Sequence, residues 1–384
     1  MTIPDTALHL NGLSVAPAQV CGGVRLIPLI RQRECRDVRL ELRRYREQIG
    51  RVQLNDGSDY WAFVPHGLVL RWGEGDELES AMGSQLKKTD GKTQDVGWFS
   101  VNTLHRMVKR ESKNALRMLP LHLALEGFLA LHFGGPKVAW KEYSRSVLSQ
   151  GLGERSESAV PGAALPGFED ALKTFEIHDG QVGVLVYVAD KLASAFVVPS
   201  SQDYRALHYT LLSDYFGELI GRYALLYSHS PELGATPDTS QARTLADLRI
   251  ALDGARQHWA DFAHTSMLGD LVGRPLSRQK IYDVGGMRLE RFMTDLNLEQ
   301  TNTIGECLTR DDGELLYLKT FQLSRAQSER GWLLGLLAAA DWHLESAAQS
   351  AGLSVNGLIL RLDGAGFGYL LKPHLIEAAR RKGI

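Results

Sequence analysis

The sequence predicts an α+β fold, with an N-terminal β-rich sheet, helices packed around it and a helical C-terminal region. Three observations lead to this prediction. The first hundred residues contain short runs in which apolar and polar side chains alternate, as in half-buried strands. Further along, helical segments and hairpins are interleaved without the strict strand–helix–strand repeat of a parallel sheet. From residue 324 to the end, the periodicity is helical.

Composition indicates a globular protein and excludes several classes. The chain has 384 residues, of which 44% are hydrophobic, so disorder throughout is excluded. The net charge of −2 excludes a uniformly basic nucleic-acid-binding protein, but it leaves room for a local basic patch. Cys21, Cys35 and Cys307 form no CxxC pair, which predicts reduced thiols rather than a disulfide framework or a zinc ribbon. Without a signal peptide or a membrane-length apolar run, we expect a cytoplasmic protein with no membrane partner.

The N-terminal region is predicted to contain at least four strands. Residues 24–30 form a short apolar run, and residues 36–45 alternate with a period of two. Residues 60–72 carry the strongest strand pattern, which Pro65 and Gly67 should divide into two strands. The polar, glycine-rich residues 73–97 predict an exposed loop or flap.

The middle of the chain is predicted to place helices around one hairpin. The hairpin covers residues 181–198 and turns at residues 189–191. Ser201 is the expected N-cap of the helix that follows it. The predicted helices cover residues 121–133, 138–152, 168–177 and 201–227.

The remaining elements suggest four successive regions. A helix is predicted over about residues 243–271, followed by hairpins that turn at Gly285–Gly286 and at residues 311–313. The predicted regions are a body domain over residues 1–227, a linker over 228–242, a helix with hairpins over 243–323, and a helical domain over 324–384.

Residues 331–368 contain a pattern of three short helices. Ala347 and Ala348 are small enough for a close helix crossing, Gly352 suits a tight turn, and Ser354 suits the N-cap of the third helix. This order of residues resembles the Fis-type helix-turn-helix of bacterial regulators. The resemblance implies DNA binding through the third helix, at positions that include Ser354, Val355, Asn356, Ile359 and Arg361.

The residues themselves favour a different use of this segment. Arg361 is the only Lys or Arg among residues 343–371, where Glu345 and Asp363 make the net charge −1. A protein that reads duplex DNA normally makes several basic contacts to phosphate. We therefore expect a packing or partner-binding module more than a DNA reader, although the basic tail beyond residue 371 keeps DNA binding through residues 324–384 as an alternative.

Three longer segments carry a family resemblance that is expected to extend over nearly all 384 residues. They are residues 120–144, 175–208 and 366–374. They resemble the second of the two families named ADP-ribosylglycohydrolase-and-rhodanese-phosphatase-associated protein domains. The family has no chemistry attached to these motifs. Its name implies genes that lie in clusters proposed to act in bacterial conflict or antiviral defence, which is an association rather than a physical argument.

Two groups of residues are candidates for acid–base chemistry. His122 and Glu126 lie four residues apart, so a helix would place them on one face, where they could share a proton. Within an apolar helix, a buried hydrogen bond is the more ordinary interpretation. His178 lies beside Asp179 ahead of a predicted strand, where it is either an oriented base or part of a turn.

A basic run between residues 106 and 117 is the best electrostatic site for an anion or nucleic acid. If the run is helical, its members share much of one face; a solvated charged face is the alternative. No glycine-rich phosphate loop or metal-ligand spacing is present, so no cofactor and no metal are expected. The run consists of Arg106, Lys109, Arg110, Lys113 and Arg117.

The sequence leads to one main hypothesis about function and two alternatives. We expect a non-enzymatic sensor or scaffold of a bacterial conflict system that binds a partner protein, a ligand or nucleic acid, with self-association also expected. The first alternative is a hydrolase of a nucleotide-like substrate, in which His122, Glu126 and His178 meet in a pocket. The second is a DNA-binding transcriptional regulator.

Overall fold

The structure is a computed structural model, and it confirms the α+β fold class. The predicted helices over residues 121–133 and 138–152 lie outside the described residues, as do His122, Glu126, Arg106 and Lys113. The residues described are 7–44, 49–53, 59–63, 66–73, 86–87, 93–94, 108–112, 114–118, 167–188, 191–215, 220, 237–262 and 268–382.

One large antiparallel sheet organises the described residues. The strands are β1 (Leu13–Val15), β2 (Gln19–Cys21), β3 (Val24–Arg31), β4 (Val38–Arg44), β5 (Ile49–Gln53), β6 (Asp59–Phe63), β7 (His66–Trp72), β8 (Leu86–Lys87), β9 (Thr93–Gln94), β10 (Val108–Ser112), β11 (Ala115–Met118), β12 (Gln181–Val188), β13 (Lys191–Val197), β14 (Leu276–Val284), β15 (Met287–Thr294), β16 (Thr303–Arg310) and β17 (Leu315–Gln322). Within these, the large sheet has the order β1-β3-β12-β13-β17-β16-β15-β14, and β2 also pairs with β3. A second sheet has the order β10-β11-β7-β4, and β5-β6 and β8-β9 form two small pairs.

Glycines at the turns explain why the hairpins form where the sequence predicts them. Gly285 and Gly286, between β14 and β15, have φ angles of +53° and +75°, which side chains with a Cβ rarely adopt. Gly313, between β16 and β17, has a φ of +85°. Both predicted hairpins are therefore confirmed, as is the hairpin of β12 and β13.

The helices lie mainly toward the C-terminal end of the chain. A π-helical turn over Leu211–Tyr215 continues α2, and Asp363–Phe367 and Gly368–Leu370 form irregular turns before the last helix. The helices are α1 (Phe168–Thr174), α2 (Ser201–Thr210), α3 (Leu245–Phe262), α4 (Gly269–Val272), α5 (Arg325–Ala339), α6 (Leu344–Ser350), α7 (Val355–Leu362) and α8 (Pro373–Lys382).

The large sheet has apolar clusters on both faces. On one face, Val184 and Phe196 belong to a cluster that includes Leu40 and Leu70 of the second sheet and Tyr204 of α2. The opposite face has a cluster in which residues of β12 and β17 pack with Leu8, with Leu271 of α4 and with Leu268 at the N-cap of that helix. Burial on both faces explains why β12 is a nearly continuous apolar run.

The C-terminal helices form a third apolar cluster at one end of this sheet. Leu333 of α5, Ala347 of α6 and Leu358 of α7 pack together with Met293 and Ile304 of the sheet. At the start of α5, Ser324 and Gln327 form a reciprocal capping box. The three helices predicted from residues 331–368 are therefore present, and they are packed against the sheet.

The helix α2 begins at Ser201 as predicted, but two other details of the predicted helices are wrong. Ser200, rather than Ser201, is the N-cap of α2: it has extended backbone angles, and its Oγ accepts a hydrogen bond from the Asp203 N–H at 3.1 Å. The predicted helix over residues 243–271 is interrupted, because Leu268 is a bend immediately before α4 begins at Gly269.

The large sheet crosses the predicted division into regions. Strand β13 belongs to the predicted body and β17 to the predicted helix-and-hairpin region, yet Phe196 pairs with Lys319 and Val197 with Leu318. The two regions therefore share one sheet, because backbone hydrogen bonding joins strands that are distant in sequence. Most of the predicted loop over residues 73–97 and the first part of the predicted linker lie outside the described residues.

We expect Gly305→Ala to destabilise the protein by about 1–3 kcal/mol, since close-packed interiors resist added volume. A Cβ at this position on β16 would lie 2.5 Å from Cζ of Phe292 and 2.8 Å from the Lys319 carbonyl oxygen. Chemical denaturation of the full chain measures the change. The matched control is Gly254→Ala on the exposed face of α3, where a Cβ meets nothing within 4 Å. This control should stabilise the protein by about 0.5–1 kcal/mol; equal stabilities for the two variants would contradict the packing of β15, β16 and β17.

Candidate functional site

Four polar side chains follow one another across four neighbouring strands of the large sheet. They are Gln279 on β14, Arg291 on β15, Glu306 on β16 and Lys319 on β17, and each is the direct cross-strand partner of the next. Directly opposite residues of antiparallel strands project to the same face. Arg291 Nε donates a hydrogen bond to Gln279 Oε1 at 2.9 Å. We call these four residues the polar row.

Burial dominates the electrostatics of the polar row. Glu306 is 0% exposed and Lys319 is 1% exposed. Within the described part of the chain, neither carboxylate oxygen of Glu306 accepts a hydrogen bond. Burial raises the pKa of Glu306 to about 7, opposed by the charges of Lys319 and Arg291. Burial also lowers the pKa of Lys319 to about 7, opposed by the charge of Glu306.

The polar row separates two apolar clusters on one face of the sheet. On β16, Leu308 on one side of Glu306 belongs to the cluster under the second sheet, and Ile304 on the other side belongs to the cluster of the C-terminal helices. On β15, Leu289 and Met293 flank Arg291 in the same way. The row is therefore the boundary between the body and the C-terminal helices.

The chemistry open to the polar row follows from this geometry. Burial disfavours the charged forms of both Glu306 and Lys319. Groups that are almost fully buried do not meet a substrate in this conformation. The polar row is therefore internal to the fold.

A second polar network joins the β3–β4 connection to the β16–β17 hairpin. The Arg310 guanidinium donates to both carboxylate oxygens of Asp37, at 2.6 and 2.9 Å, and to Glu314 at 3.0 Å. The hydrogen bond from Arg310 is the main reason that the pKa of Asp37 is lowered to about 2. On its other side, Glu314 accepts from the buried Arg31 at 2.7 Å. This network stabilises one end of the large sheet.

Two of the three cysteines lie in settings that suppress thiol reactivity. Burial raises the pKa of Cys35, with a further contribution from the hydrogen bond that its thiol donates to Asp37 at 3.2 Å. Burial raises the pKa of Cys307 to about 12. Both thiols are free and favour the protonated form at neutral pH, which makes them poor nucleophiles.

His178, one of the predicted catalytic candidates, lies in the turn before β12. Its backbone N–H donates to Gln181 Oε1 at 2.9 Å, and its neighbour Asp179 is exposed and 3.8 Å from Arg205. The ring of a nearby histidine, His208, forms a hydrogen bond with the Tyr204 hydroxyl, with Nδ1 and the hydroxyl oxygen 3.2 Å apart. Burial lowers the pKa of His208. The structure therefore places His178 in a turn. The predicted convergence of His178 with His122 and Glu126 involves positions outside the described residues.

The predicted helical arrangement of the basic run is wrong for its described members. Lys109 and Arg110 lie on β10, and Arg117 lies on β11. Lys109 pairs directly with Arg117, and Arg110 pairs with Leu116. Strand pairing replaces the helical spacing, so Lys109 and Arg117 occupy directly paired positions of a hairpin. Their role in anion binding stays a prediction.

The structure places the predicted recognition residues in and beside α7. Ser354 caps this helix through a 3.0 Å hydrogen bond from the Gly357 N–H, and Val355 and Asn356 form its first turn. Ile359 is buried in the cluster of the C-terminal helices. Arg361 Nε donates to Glu329 Oε1 at 2.8 Å, and its guanidinium carbon lies 4.8 Å from the centre of the Trp332 ring. Ile359 and Arg361 are therefore engaged within the protein.

The polar row was not predicted from the sequence, although charged residues at inward-facing positions of the strand pattern indicate it. Glu306 lies in phase with Ile304 and Leu308, which point into the core. Lys319 lies in phase with Tyr317 and Phe321 in the same way. A charged residue at an inward-facing position of a buried strand is expensive unless it is compensated, and two such residues on neighbouring strands predict a pair.

Comparisons with known proteins identify the family. The model of the ARPP-2 family matches residues 8–285, and the chain belongs to this family. The family resemblance is confirmed over this range, whereas the C-terminal helices from α5 to α8 lie beyond it. No curated protein and no solved structure has detectable similarity to the chain.

Two further properties concern only the part of the chain that the structure describes. None of the helices in this part combines the length and the apolar character that are needed to cross a membrane. No group of three or more His, Cys, Asp or Glu side chains within it has an arrangement that could hold a metal ion.

We predict strong coupling between Glu306 and Lys319 in a double-mutant cycle. Glu306→Met and Lys319→Met should each cost several kcal/mol, about 3–5 kcal/mol if the remaining partner stays charged. The double variant should cost at least about 1 kcal/mol less than the sum of the two changes, because it leaves neither charge uncompensated. Urea denaturation of the full chain measures all four proteins.

The exposed pair of Lys280 and Asp283 is the matched control for this cycle. Their side chains are 2.7 Å apart and more than half exposed. Lys280→Met should change the unfolding free energy by less than about 1 kcal/mol. Additive effects of the Glu306 and Lys319 changes would show that the two side chains do not interact.

We also predict a pH dependence that belongs to Glu306. Its pKa is raised from 4.5 to about 7, so between these values the native state binds more protons than the unfolded state. The contribution of Glu306 to the unfolding free energy therefore falls as the pH rises through this window, by up to about 3 kcal/mol. Glu306→Gln should remove this fall, which denaturation at about pH 5 and about pH 7 would detect. Parallel pH profiles for the two proteins would contradict the raised pKa.

Proposed function

We propose that the protein is a non-enzymatic scaffold or sensor of a bacterial conflict system, acting in the cytoplasm by binding a partner protein. The observation that carries this proposal is the surface of α3. Leu245, Leu248 and Leu252 of this helix are 77%, 37% and 38% exposed. Several large apolar side chains along one exposed helix are unfavourable in water and useful in a protein interface.

The environment of α7 favours this proposal over DNA binding. Arg361 is the only Lys or Arg of α7, and it is held by Glu329 and Trp332. To contact phosphate it would have to give up an ion pair and a cation–π contact. The exposed first turn presents Val355, which is 36% exposed, and no cation.

The hydrolase alternative keeps a distinct requirement. It needs His122, Glu126 and His178 within hydrogen-bond reach in one cleft. Of these three residues, the structure describes the surroundings of His178, whose backbone N–H donates a hydrogen bond to Gln181 within a turn. Loss of a measured hydrolytic activity in both His122→Ala and His178→Ala, with folding intact, would favour the hydrolase.

We expect the full-length chain to co-purify with a protein encoded beside it when the neighbouring genes are expressed together. The family name associates these chains with gene clusters, which makes neighbouring products the natural candidates. The measurement is affinity purification of the tagged chain, with identification by mass spectrometry and reconstitution from the two purified proteins. A 1:1 or higher-order complex by light scattering supports the proposal.

Binding to duplex DNA is the competing result. Fluorescence anisotropy at about 50 mM and about 200 mM salt separates the two, because binding through phosphate contacts weakens steeply with salt. We expect no steep salt-dependent binding by the full chain and no effect of Arg361→Ala. Tight, salt-sensitive binding that Arg361→Ala weakens would establish the regulator instead.

A further inference from the structure

Six apolar residues of α3 are spaced alternately three and four positions apart, and Ile250 lies outside this pattern. This spacing gives a helix one narrow apolar stripe, which is the seam of a coiled coil rather than the broader face of a helix packed on a globular core. The stripe consists of Leu245, Leu248, Leu252, Ala255, Trp259 and Phe262. We call these six positions the α3 seam.

The α3 seam is anchored to the body at one end and exposed at the other. Phe262 packs against the cluster that contains Leu268 and Leu271 on one face of the large sheet. Toward the N-terminal end of the helix, exposure rises to 77% at Leu245. A seam that continues outward from a packed end is a ready docking surface for another helix.

The flanks of the α3 seam differ in charge. At about 100° per residue, Arg249 and Arg256 lie on the same flank, and both are exposed. Arg256 is 3.1 Å from Asp253, but both side chains are about two-thirds exposed or more, so the pair is weak. The other flank carries Thr244, Ala251 and His258, and no carboxylate.

We propose that the α3 seam forms a two-stranded coiled coil with an amphipathic helix of a different protein, whose flanking positions carry carboxylates. Charges at the flanking positions of coiled coils set the choice of partner. Two copies of this chain do not supply these charges. In an antiparallel pair the two arginine flanks would face each other, and in a parallel pair each would face the flank of Thr244, Ala251 and His258.

This inference rests on the proposed function and specifies the partner. The probe is a three-heptad synthetic peptide with leucine at the seam positions and glutamate at the flanking positions, which also keeps the peptide from pairing with itself. A matched peptide carries lysine at the flanking positions. Binding of each to the full-length chain is measured by isothermal titration calorimetry.

We expect micromolar binding of the glutamate peptide and binding of the lysine peptide that is at least about tenfold weaker. Changing Arg249 and Arg256 together to glutamate should reverse this preference, which a purely structural role would not do. Leu245→Gln should weaken binding of the glutamate peptide at least about tenfold. All three positions are exposed, so circular dichroism should be unchanged in these variants.

Ile250→Gln is the control for the seam itself. Ile250 is 71% exposed, close to Leu245, but it lies on the opposite side of α3. This change should leave peptide binding unaffected. Equal effects of Leu245→Gln and Ile250→Gln, or no reversal of preference in the charge variant, would overturn the proposal.

Self-association is a separate outcome. If the chain is a dimer by light scattering, and Leu245→Gln but not Ile250→Gln makes it a monomer, a second copy occupies the seam and the proposal falls. If a co-purified partner is retained by the Leu245→Gln chain, the proposed function stands and only the inference about α3 fails.

Discussion

The pairing of β13 with β17 is the constraint on which the rest of the structure depends. Phe196 pairs with Lys319 and Val197 with Leu318, which joins the N-terminal strands to the C-terminal meander in one sheet. Side chains reinforce this short contact: Ser194 Oγ donates to the Thr320 carbonyl oxygen at 2.6 Å, and the Ala195 N–H donates to Thr320 Oγ1 at 2.7 Å. Because the contact between β13 and β17 is buried, its hydrogen bonds are shielded from competition with water.

A row of charged residues crosses the sheet beginning at β17, the strand that pairs with β13. Lys319 lies on β17, and Glu306 and Arg291 follow on the next two strands. Burying such charges destabilises a fold unless they compensate one another, and it specifies one strand register, since a one-residue slip would move every charge to the other face. We infer that the row's main effect is on register and on the boundary with the C-terminal helices.

Local features were predictable from the sequence, and long-range ones were not. The hairpins at Gly285–Gly286 and before Gly313 follow from local turn chemistry, and the capped, amphipathic α7 follows from Ser354, Leu358 and Leu362. The pairing of β13 with β17 links residues more than a hundred positions apart, and no local sequence pattern encodes which strands pair. The strand conformation of Lys109 and Arg117 was missed because the spacing of cations alone does not distinguish a helix from a hairpin.

The proposed docking of a partner on α3 is tested most directly by hydrogen exchange. An exposed helix with few packed contacts opens readily, so its amides should exchange quickly in the chain alone. On adding the co-purified partner, exchange should slow over residues 245–258 and stay unchanged over 355–362. Slower exchange over residues 355–362 with no change in α3 would contradict partner docking on α3 and would show that the C-terminal helices bind the partner.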